Sequence, residues 1–312
     1  MKITKIFNAP LKYLLIAIAS LLALAIIFGA IFGVNTSTEL SGGSQVKIDV
    51  TDLNANEVLG QTKGALSANH LTVEKHMVES SGTKTYLVLN LTNRKVANAD
   101  EIRAQIATKT GIDVAKISSF QTINPAFNPV SVVLFGVGVL VAIIVLFIAG
   151  LIRYKQAGGL TLGFVNLASV IIYLSIFILT RIWLNWASLV SLTVALIIIN
   201  VIVVALLENI HNNISLKQYS GYTEKEITEH FAQKLFVPAV FVCGALCVMG
   251  FALLWVFNTY VQLLALSLMV ASIISFFASM VLSTSVYSNL LAVYNIKQKQ
   301  KTTKNPNIKK QR

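Results

Sequence analysis

The feature that most constrains this chain is a series of apolar runs, each long enough to cross a bilayer as a helix. A hydrocarbon core needs roughly 20 consecutive apolar residues in an α-helix. Only 12% of the 312 residues are charged and 55% are hydrophobic, too few polar side chains to cover a water-soluble fold. We therefore predict a polytopic α-helical membrane protein with six transmembrane helices at 13–34, 130–152, 159–180, 187–207, 235–257 and 261–294.

The first run has an alternative interpretation as a cleaved signal peptide. Lys2, Lys5 and Lys12 precede it, and the small residues "ALA" lie inside it. The run 13–34 is longer than the apolar region of a signal peptide, and further spans follow it. A membrane span preceded by a short N-terminal segment, 1–12, is the favoured interpretation.

The basic residues predict the orientation of the chain. Lysines and arginines cluster before the first span, after the second, in the loop 209–233 and in the tail 295–312, whereas Arg181 lies in a short loop on the other side. The positive-inside rule then places both termini in the cytoplasm and residues 35–129 outside. Because the net charge of +12 gathers beside span ends and in the tail, it indicates anionic lipid rather than specific nucleic acid as a partner. Contact of the tail with ribosomal RNA or another protein is the alternative.

Residues 44–121 predict an α+β domain between the first two membrane helices. Alternation of apolar and polar residues predicts strands, and capping residues bound the two helices between them. The resulting order, strand-helix-strand-strand-helix-strand, is that of the ferredoxin-like unit. The first helix is expected to have Asp52 or Asn54 as its N-cap, and the second to have Asn98 as its N-cap and to end at Gly111. The last strand is expected near 114–122.

No residue pattern in the chain predicts catalysis or a cofactor. His70 and His76 lack cysteine or acidic partners at the spacing of metal ligands. Cys243 and Cys247 are four residues apart inside the fifth span, where packing is the expected role. We therefore expect no metal, no cofactor and no enzymatic activity.

The segment that follows the first span carries a family resemblance. "ELSGGSQVKIDV" resembles the D-F-x-G-G-T-x-L-x-V signature of SecF and SecD, the accessory subunits of the Sec translocon, with Glu39 at the aspartate and Gly42 and Gly43 at the glycine pair. One span, an outer domain of about ninety residues and five further spans resemble SecF rather than the larger SecD. "INPAFNP" (123–129) and "IRYK" (152–155) resemble the re-entry segment and the turn after the second span.

Two of the later spans extend the resemblance. In "VVALLENIHNN", Glu208 and Asn213 match the acid and the asparagine of the family's fourth span. In "LMVASIISFFASM" of the last span, Ala271, Ser275 and Ser279 place small side chains four residues apart. This spacing allows close helix approach, and packing is its expected role.

The resemblance implies proton coupling through a carboxylate in the fourth span and an arginine that opens the fifth. In this chain the carboxylate position falls on Ile202 or, with a two-residue slip, on Asn200, and Lys234 stands at the arginine. Asn200 either joins helices by a hydrogen bond or serves as a polar relay or partner-facing site. Lys234 is either an anchor at a span end or a functional cation. Glu208 either is solvated or replaces the missing acid if water reaches it.

The third span and the loop after the fourth complete the comparison. A His-Asp pair of the family's third span corresponds to Ala168 and Ser169, with Asn166 the nearest polar group. In the loop 209–233, Thr223 and Glu226 have capping-box spacing. They predict a short interfacial or partner-facing helix with Ile227 and Phe231 on one face.

The function implied by the resemblance is that of a SecF-like accessory subunit of the Sec translocon in the bacterial plasma membrane. It would assist export and membrane insertion of translocating polypeptides, beside a SecD-like subunit and a SecY-type channel. Proton coupling is doubtful on this sequence because the membrane carboxylate is missing. A half of a transporter similar to the resistance-nodulation-division superfamily, moving a lipid or small molecule, is the first alternative. A structural membrane scaffold is the second.

Overall fold

A computed structural model describes residues 10–81, 83–93, 96–125, 129–213, 222–256 and 259–304. The predicted N-terminal segment, re-entry segment, loop 209–233 and basic tail therefore lie partly outside the described residues. The elements in chain order are α1 (Leu11–Phe32), α2 (Thr38–Ser41), β1 (Gly43–Asp49), α3 (Ala55–Ala68), β2 (Val73–Ser81), β3 (Lys84–Leu91), α4 (Ala99–Thr110), β4 (Gln121–Ile123), α5 (Pro129–Thr180), α6 (Trp186–Asn213), α7 (Glu224–Leu253), α8 (Thr259–Phe276), a π-helical segment (Phe277–Leu282) and α9 (Ser283–Lys304).

The chain divides into two compact units. The described residues of 1–33, 137–181 and 187–312 form the helical unit, and those of 34–136 and 182–186 form the sheet unit. Within the described part of the chain, five helices are long and apolar enough to cross a membrane: α1, α5, α6, α7 and the continuous helix that includes α8 and α9.

Helix α5 is a hairpin of two arms. Lys155 has φ 62° and ψ −165°, which no α-helix accommodates. A Cβ placed on Gly150 would lie 2.9 Å from Gly159 Cα, although nine residues of straight helix would separate them by roughly 13 Å. The chain therefore reverses at Lys155, between the runs predicted at 130–152 and 159–180. Glycine at both positions lets the two arms touch backbone to backbone.

The core of the helical unit lies around α6 and the last helix. Val165, Ile199, Leu206 and Ala278 are almost fully buried there. Helix α1 instead exposes large apolar side chains such as Ile16 and Ile31. Continuous apolar exposure of this extent is typical of a surface that contacts lipid or another protein.

Helix α7 corrects one prediction. Thr223 and Glu226 do form a capping box, but the helix that they start continues to Leu253 without a break. Ile227 and Phe231 are 4% and 3% exposed and belong to the core of the helical unit. The expected short helix facing an interface or a partner is therefore wrong, because its apolar face packs on the chain's own residues.

The sheet unit has the order of elements that the sequence predicts between 44 and 121. The strands lie in the order β2-β3-β1-β4, with every neighbouring pair antiparallel. Helices α3 and α4 cover one face, where the fully buried residues include Val46, Ile48, Leu66, Leu87, Leu89 and Ile106. Hydrophobic packing of these residues holds the unit together.

The predicted boundaries of the sheet unit are partly correct. The Asn54 side chain accepts a hydrogen bond from Asn56 N and caps α3, and Gly111 ends α4 in the left-handed conformation. Asn98 occupies the N-cap of α4 without a side-chain hydrogen bond. The strand expected near 114–122 is shorter, because Asp113 caps a 3₁₀ turn at Val114–Lys116 and strand β4 begins only at Gln121. Such local side-chain caps compete with strand pairing.

Candidate functional site

The glycine pair of the entry motif is required by two different constraints. Gly42 follows α2 with φ 72°, a conformation that disfavours any side chain. Gly43 opens β1, and a Cβ at this position would lie 2.1 Å from Leu91 O and 2.6 Å from Thr38 Cγ2. The motif therefore turns the chain at Gly42 and brings two strands into backbone contact at Gly43.

Glu39 lies beside two charged residues that the sequence analysis missed. Its carboxylate accepts a hydrogen bond from the backbone N–H of Trp186 and lies close to Lys75. The Glu74 carboxylate accepts from Thr38 N at 2.7 Å. We call Glu39, Glu74 and Lys75 the linker cluster. Strand alternation alone gives no sign of it, since Glu39 and Lys75 are 36 positions apart in the chain.

Burial dominates the electrostatics of the linker cluster. It raises the pKa of Glu39 and of Glu74, and it lowers the pKa of Lys75, because each charged form loses water. The attraction between Lys75 and the two carboxylates opposes each of these shifts. The chain beside the cluster is held by backbone hydrogen bonds from Ser37 N to Leu184 O and from Leu184 N to Asn35 O.

In the helical unit, Asn200 pairs with Asn166. Asn166 Nδ2 donates to Asn200 Oδ1 at 2.8 Å, and Asn200 Nδ2 donates to Asn166 Oδ1 at 2.9 Å. The second hydrogen of each amide goes to its own helix, at Leu162 O and Leu196 O. All four amide hydrogens are therefore used. The pair links the second arm of α5 to α6, and neither side chain ionises near neutral pH.

Ala271, Ser275 and Ser279 are fully buried in the helical unit. Ser275 Oγ donates to Ala271 O at 2.7 Å and to Ala195 O of α6 at 3.3 Å. Ser279 Oγ donates to Ser275 O, so each serine hydroxyl finds a carbonyl on its own helix. The small side chains lie where α6 approaches the last helix, as close packing requires.

Glu208 is held at the end of α6 by the turn of the α5 hairpin. Arg153 donates to both carboxylate oxygens, at 3.3 Å from Nε to Oε2 and at 2.5 Å from Nη2 to Oε1. Tyr154 Oη donates to Oε2 at 2.9 Å, and Asn212 Nδ2 donates to Oε1 at 3.0 Å. A carboxylate has about four acceptor positions, and these four donors fill them. These donors all stabilise the ionised form of the carboxylate, whose side chain is 34% exposed.

Two further predicted positions have their described contacts within their own helices. Asn213 Nδ2 donates to Asn209 O at 2.7 Å. Lys234 is exposed on α7, with Nζ 5.2 Å from the centre of the Phe231 ring. Neither residue joins the Asn166–Asn200 pair through a described contact. Among the described residues, no group of three or more His, Cys, Asp or Glu side chains is placed to hold a metal ion.

Solved structures share this arrangement of elements. A crystal structure of SecDF in a super-membrane-facing form matches 96% of this chain, with a TM-score of 0.72 and 14% sequence identity. The fold is that of one part of SecDF. A second crystal structure, of SecDF from Thermus thermophilus, described as a translocon-associated membrane protein, matches 92% with a TM-score of 0.57 and 16% identity. The chain spans about 40% of the length of the first and 38% of the second. No family model matches the sequence, and no curated protein does.

Proposed function

We propose that this chain is a SecF-like accessory subunit of the Sec translocon that assists protein export and membrane-protein insertion. The observation that carries the proposal is the SecDF fold over 96% of the chain. The Gly42-Gly43 motif, whose glycines are both sterically required, supports it. On this proposal the chain is not an enzyme.

The proposed membrane arrangement has six spans in the bacterial plasma membrane, because the α5 hairpin contributes two. Both termini are cytoplasmic, and the sheet unit is an extracytoplasmic ferredoxin-like domain, consistent with its β2-β3-β1-β4 order. The proposed partners are a SecD-like subunit and a SecY-type channel, with translocating polypeptides as substrates. Anionic lipid near the basic tail is a further proposed partner, and specific nucleic acid is not among the proposed partners.

We also propose that this chain does not itself carry a proton. The Asn166–Asn200 pair is not ionisable in the relevant range, and it uses all of its amide hydrogens within the protein. Glu208 is already fully coordinated by Arg153, Tyr154 and Asn212. Its contribution to the complex would be structural, and any proton path would use residues of a partner.

The decisive experiment is purification of the full chain in mild detergent after crosslinking in cells, followed by mass spectrometry of the captured proteins. Recovery of a SecD-like chain and channel subunits is expected. Recovery of only an unrelated lipid or drug export apparatus would refute the proposal.

The proton proposal is tested by measuring export of a secreted reporter at constant ATP. Replacing Asn200 by aspartate or by leucine should leave unchanged the fraction of export that is lost when the proton gradient collapses. If either variant alters that fraction, Asn200 takes part in coupling.

A further inference from the structure

Strand β2 forms an edge of the sheet, since β3 is its only pairing partner among the described strands. The direction of its backbone groups follows from the neighbouring strands. Val50 N donates to Thr85 O at 2.8 Å, so the backbone of Thr85 faces β1. Because backbone groups alternate along a strand, Lys84, Tyr86 and Val88 face β2, opposite Ser81, Glu79 and Met77. The residues of β2 whose N–H and C=O groups point away from the sheet are therefore His76, Val78 and Ser80.

This edge lacks the usual protection. Natural edge strands are blunted by bulges, proline, or charged side chains, lysine above all. In β2 the irregularity of register lies between Val73 and Lys75, before the segment 76–80, and this segment contains no proline and no lysine. Met77 is 38% exposed and Val78 is 53% exposed. The one charge, Glu79, forms an ion pair with Lys47 at 3.2 Å. A regular, uncovered and nearly uncharged edge favours strand pairing.

The length of the edge indicates what can occupy it. Five residues extend over about 17 Å, whereas each side of a stable dimer interface uses roughly 20–30 residues. The Thr38–Glu74 hydrogen bond beside the start of β2 limits the edge on that side. Strand addition takes its affinity from main-chain hydrogen bonds, and such bonds do not depend on the sequence of the added strand. A short edge of this kind fits a transient contact with an extended chain.

We propose that the segment 76–80 of β2 binds an extended, unfolded polypeptide by strand addition, through the backbone groups of His76, Val78 and Ser80. The occupant is the translocating polypeptide, an assignment that rests on the proposed function. The contact tolerates many sequences and requires only an unpaired backbone, so folded proteins are not bound.

Hydrogen exchange of the full chain in lipid nanodiscs tests this directly. The probe is a twelve-residue peptide of serine, threonine and valine, and the matched control is the same peptide with every backbone nitrogen methylated, because methylating alternate nitrogens would leave one edge of the peptide able to pair. The unmethylated peptide should slow exchange of the amides of His76, Val78 and Ser80 by about tenfold or more, while those of Met77 and Glu79 stay unchanged. Equal protection by both peptides, or protection without this alternation, would overturn the proposal.

Substitutions provide a second test. Val78→Pro removes an outward N–H that β3 does not use, so it should weaken peptide binding by about tenfold, whereas Val78→Thr should bind as the wild type does. If Val78→Pro fails to fold, Val78→Asp replaces it in the test. This change places an uncompensated charge at the edge and should also weaken peptide binding by about tenfold. Unchanged peptide binding in the folded variant would refute the edge site. Protection of the same amides without peptide, rising with the concentration of the protein, would also refute it, because it would indicate that a second copy of this chain occupies the edge. Peptide binding in a chain that captures no translocon subunit would retain the edge site and reject the proposed function.

Discussion

Replacing Gly43 by alanine is expected to separate strands β1 and β3 of the sheet unit. The new Cβ would lie 2.1 Å from Leu91 O, against a lower limit of 3.0 Å for real contacts, so β1 must move by about 1 Å. The obstructing atom belongs to the backbone, and rotation of a side chain cannot relieve the clash. Overpacking of this kind costs about 1–3 kcal/mol, and each ladder hydrogen bond lost costs about 1 kcal/mol more. We expect a local loss of about 3 kcal/mol.

Amide hydrogen exchange in β1 and β3 measures that loss. Since each 1.4 kcal/mol corresponds to about a tenfold change in an equilibrium constant, exchange should accelerate about a hundredfold. Gly64→Ala is the matched control, because Gly64 lies exposed in α3 with no atom within 4 Å of its Cβ position. That change should stabilise the unit by about 0.5–1 kcal/mol. If Gly43→Ala exchanges like Gly64→Ala, the steric account of the glycine pair is incorrect.

Three other predictions concern polar groups. Asn200→Leu should lower the stability of the helical unit by about 1–2 kcal/mol because it leaves the buried Asn166 amide unpaired. Replacing both Asn166 and Asn200 by leucine should cost less than the sum of the two single changes. Additive losses in thermal unfolding would contradict the pairing. Arg153→Ala should accelerate hydrogen exchange in the α5 turn as much as Glu208→Gln does, and unequal effects would show that the two residues act separately. For Glu74, burial raises the pKa of the carboxyl, so the native state binds more protons than the unfolded state between the unfolded and the folded pKa. Its contribution is fully present below the unfolded pKa and is lost as pH rises through the folded pKa. Acidification from neutral pH toward about 4.5 should therefore stabilise β2 more in the wild type than in Glu74→Gln, and parallel pH profiles would refute the assignment.

The hydrophobic pattern predicts most of the fold because burial acts on every turn of a helix and on every second residue of a strand. Alternation identified the buried face of β1, and capping chemistry located Thr223 and Gly111 at helix ends. The short length of β4 was not predictable in the same way. It depends on the Asp113 cap and on Arg103, which donates to Ile117 O at 2.6 Å, and the sequence does not show such contacts.

The candidate sites were predicted less well than the elements that carry them. Asn200 was recognisable as the amide within its span, but the reciprocal bond to Asn166 depends on how α5 and α6 are rotated about their axes. Glu208 was expected either to be solvated or to replace the missing acid. Its side chain is 34% exposed, and it also binds Arg153 and Tyr154, two contacts that the sequence analysis did not predict. The pattern did contain a sign of this, because the "IRYK" turn and Glu208 both match family positions at the ends of neighbouring spans. The linker cluster gave no such sign, since Glu39 lies 36 positions before Lys75 in the chain.

The π-helical segment Phe277–Leu282 gives the last helix an unusual tolerance of a one-residue deletion. A π-bulge corresponds to one residue more than regular α-helix would use, and one residue of α-helix corresponds to a rotation of about 100°. Deleting a single amino acid there would restore uniform pitch and keep the buried hydroxyls of Ser283 and Thr284 on the same neighbours. The same deletion in a regular part of the helix would instead rotate every residue beyond it by about 100°.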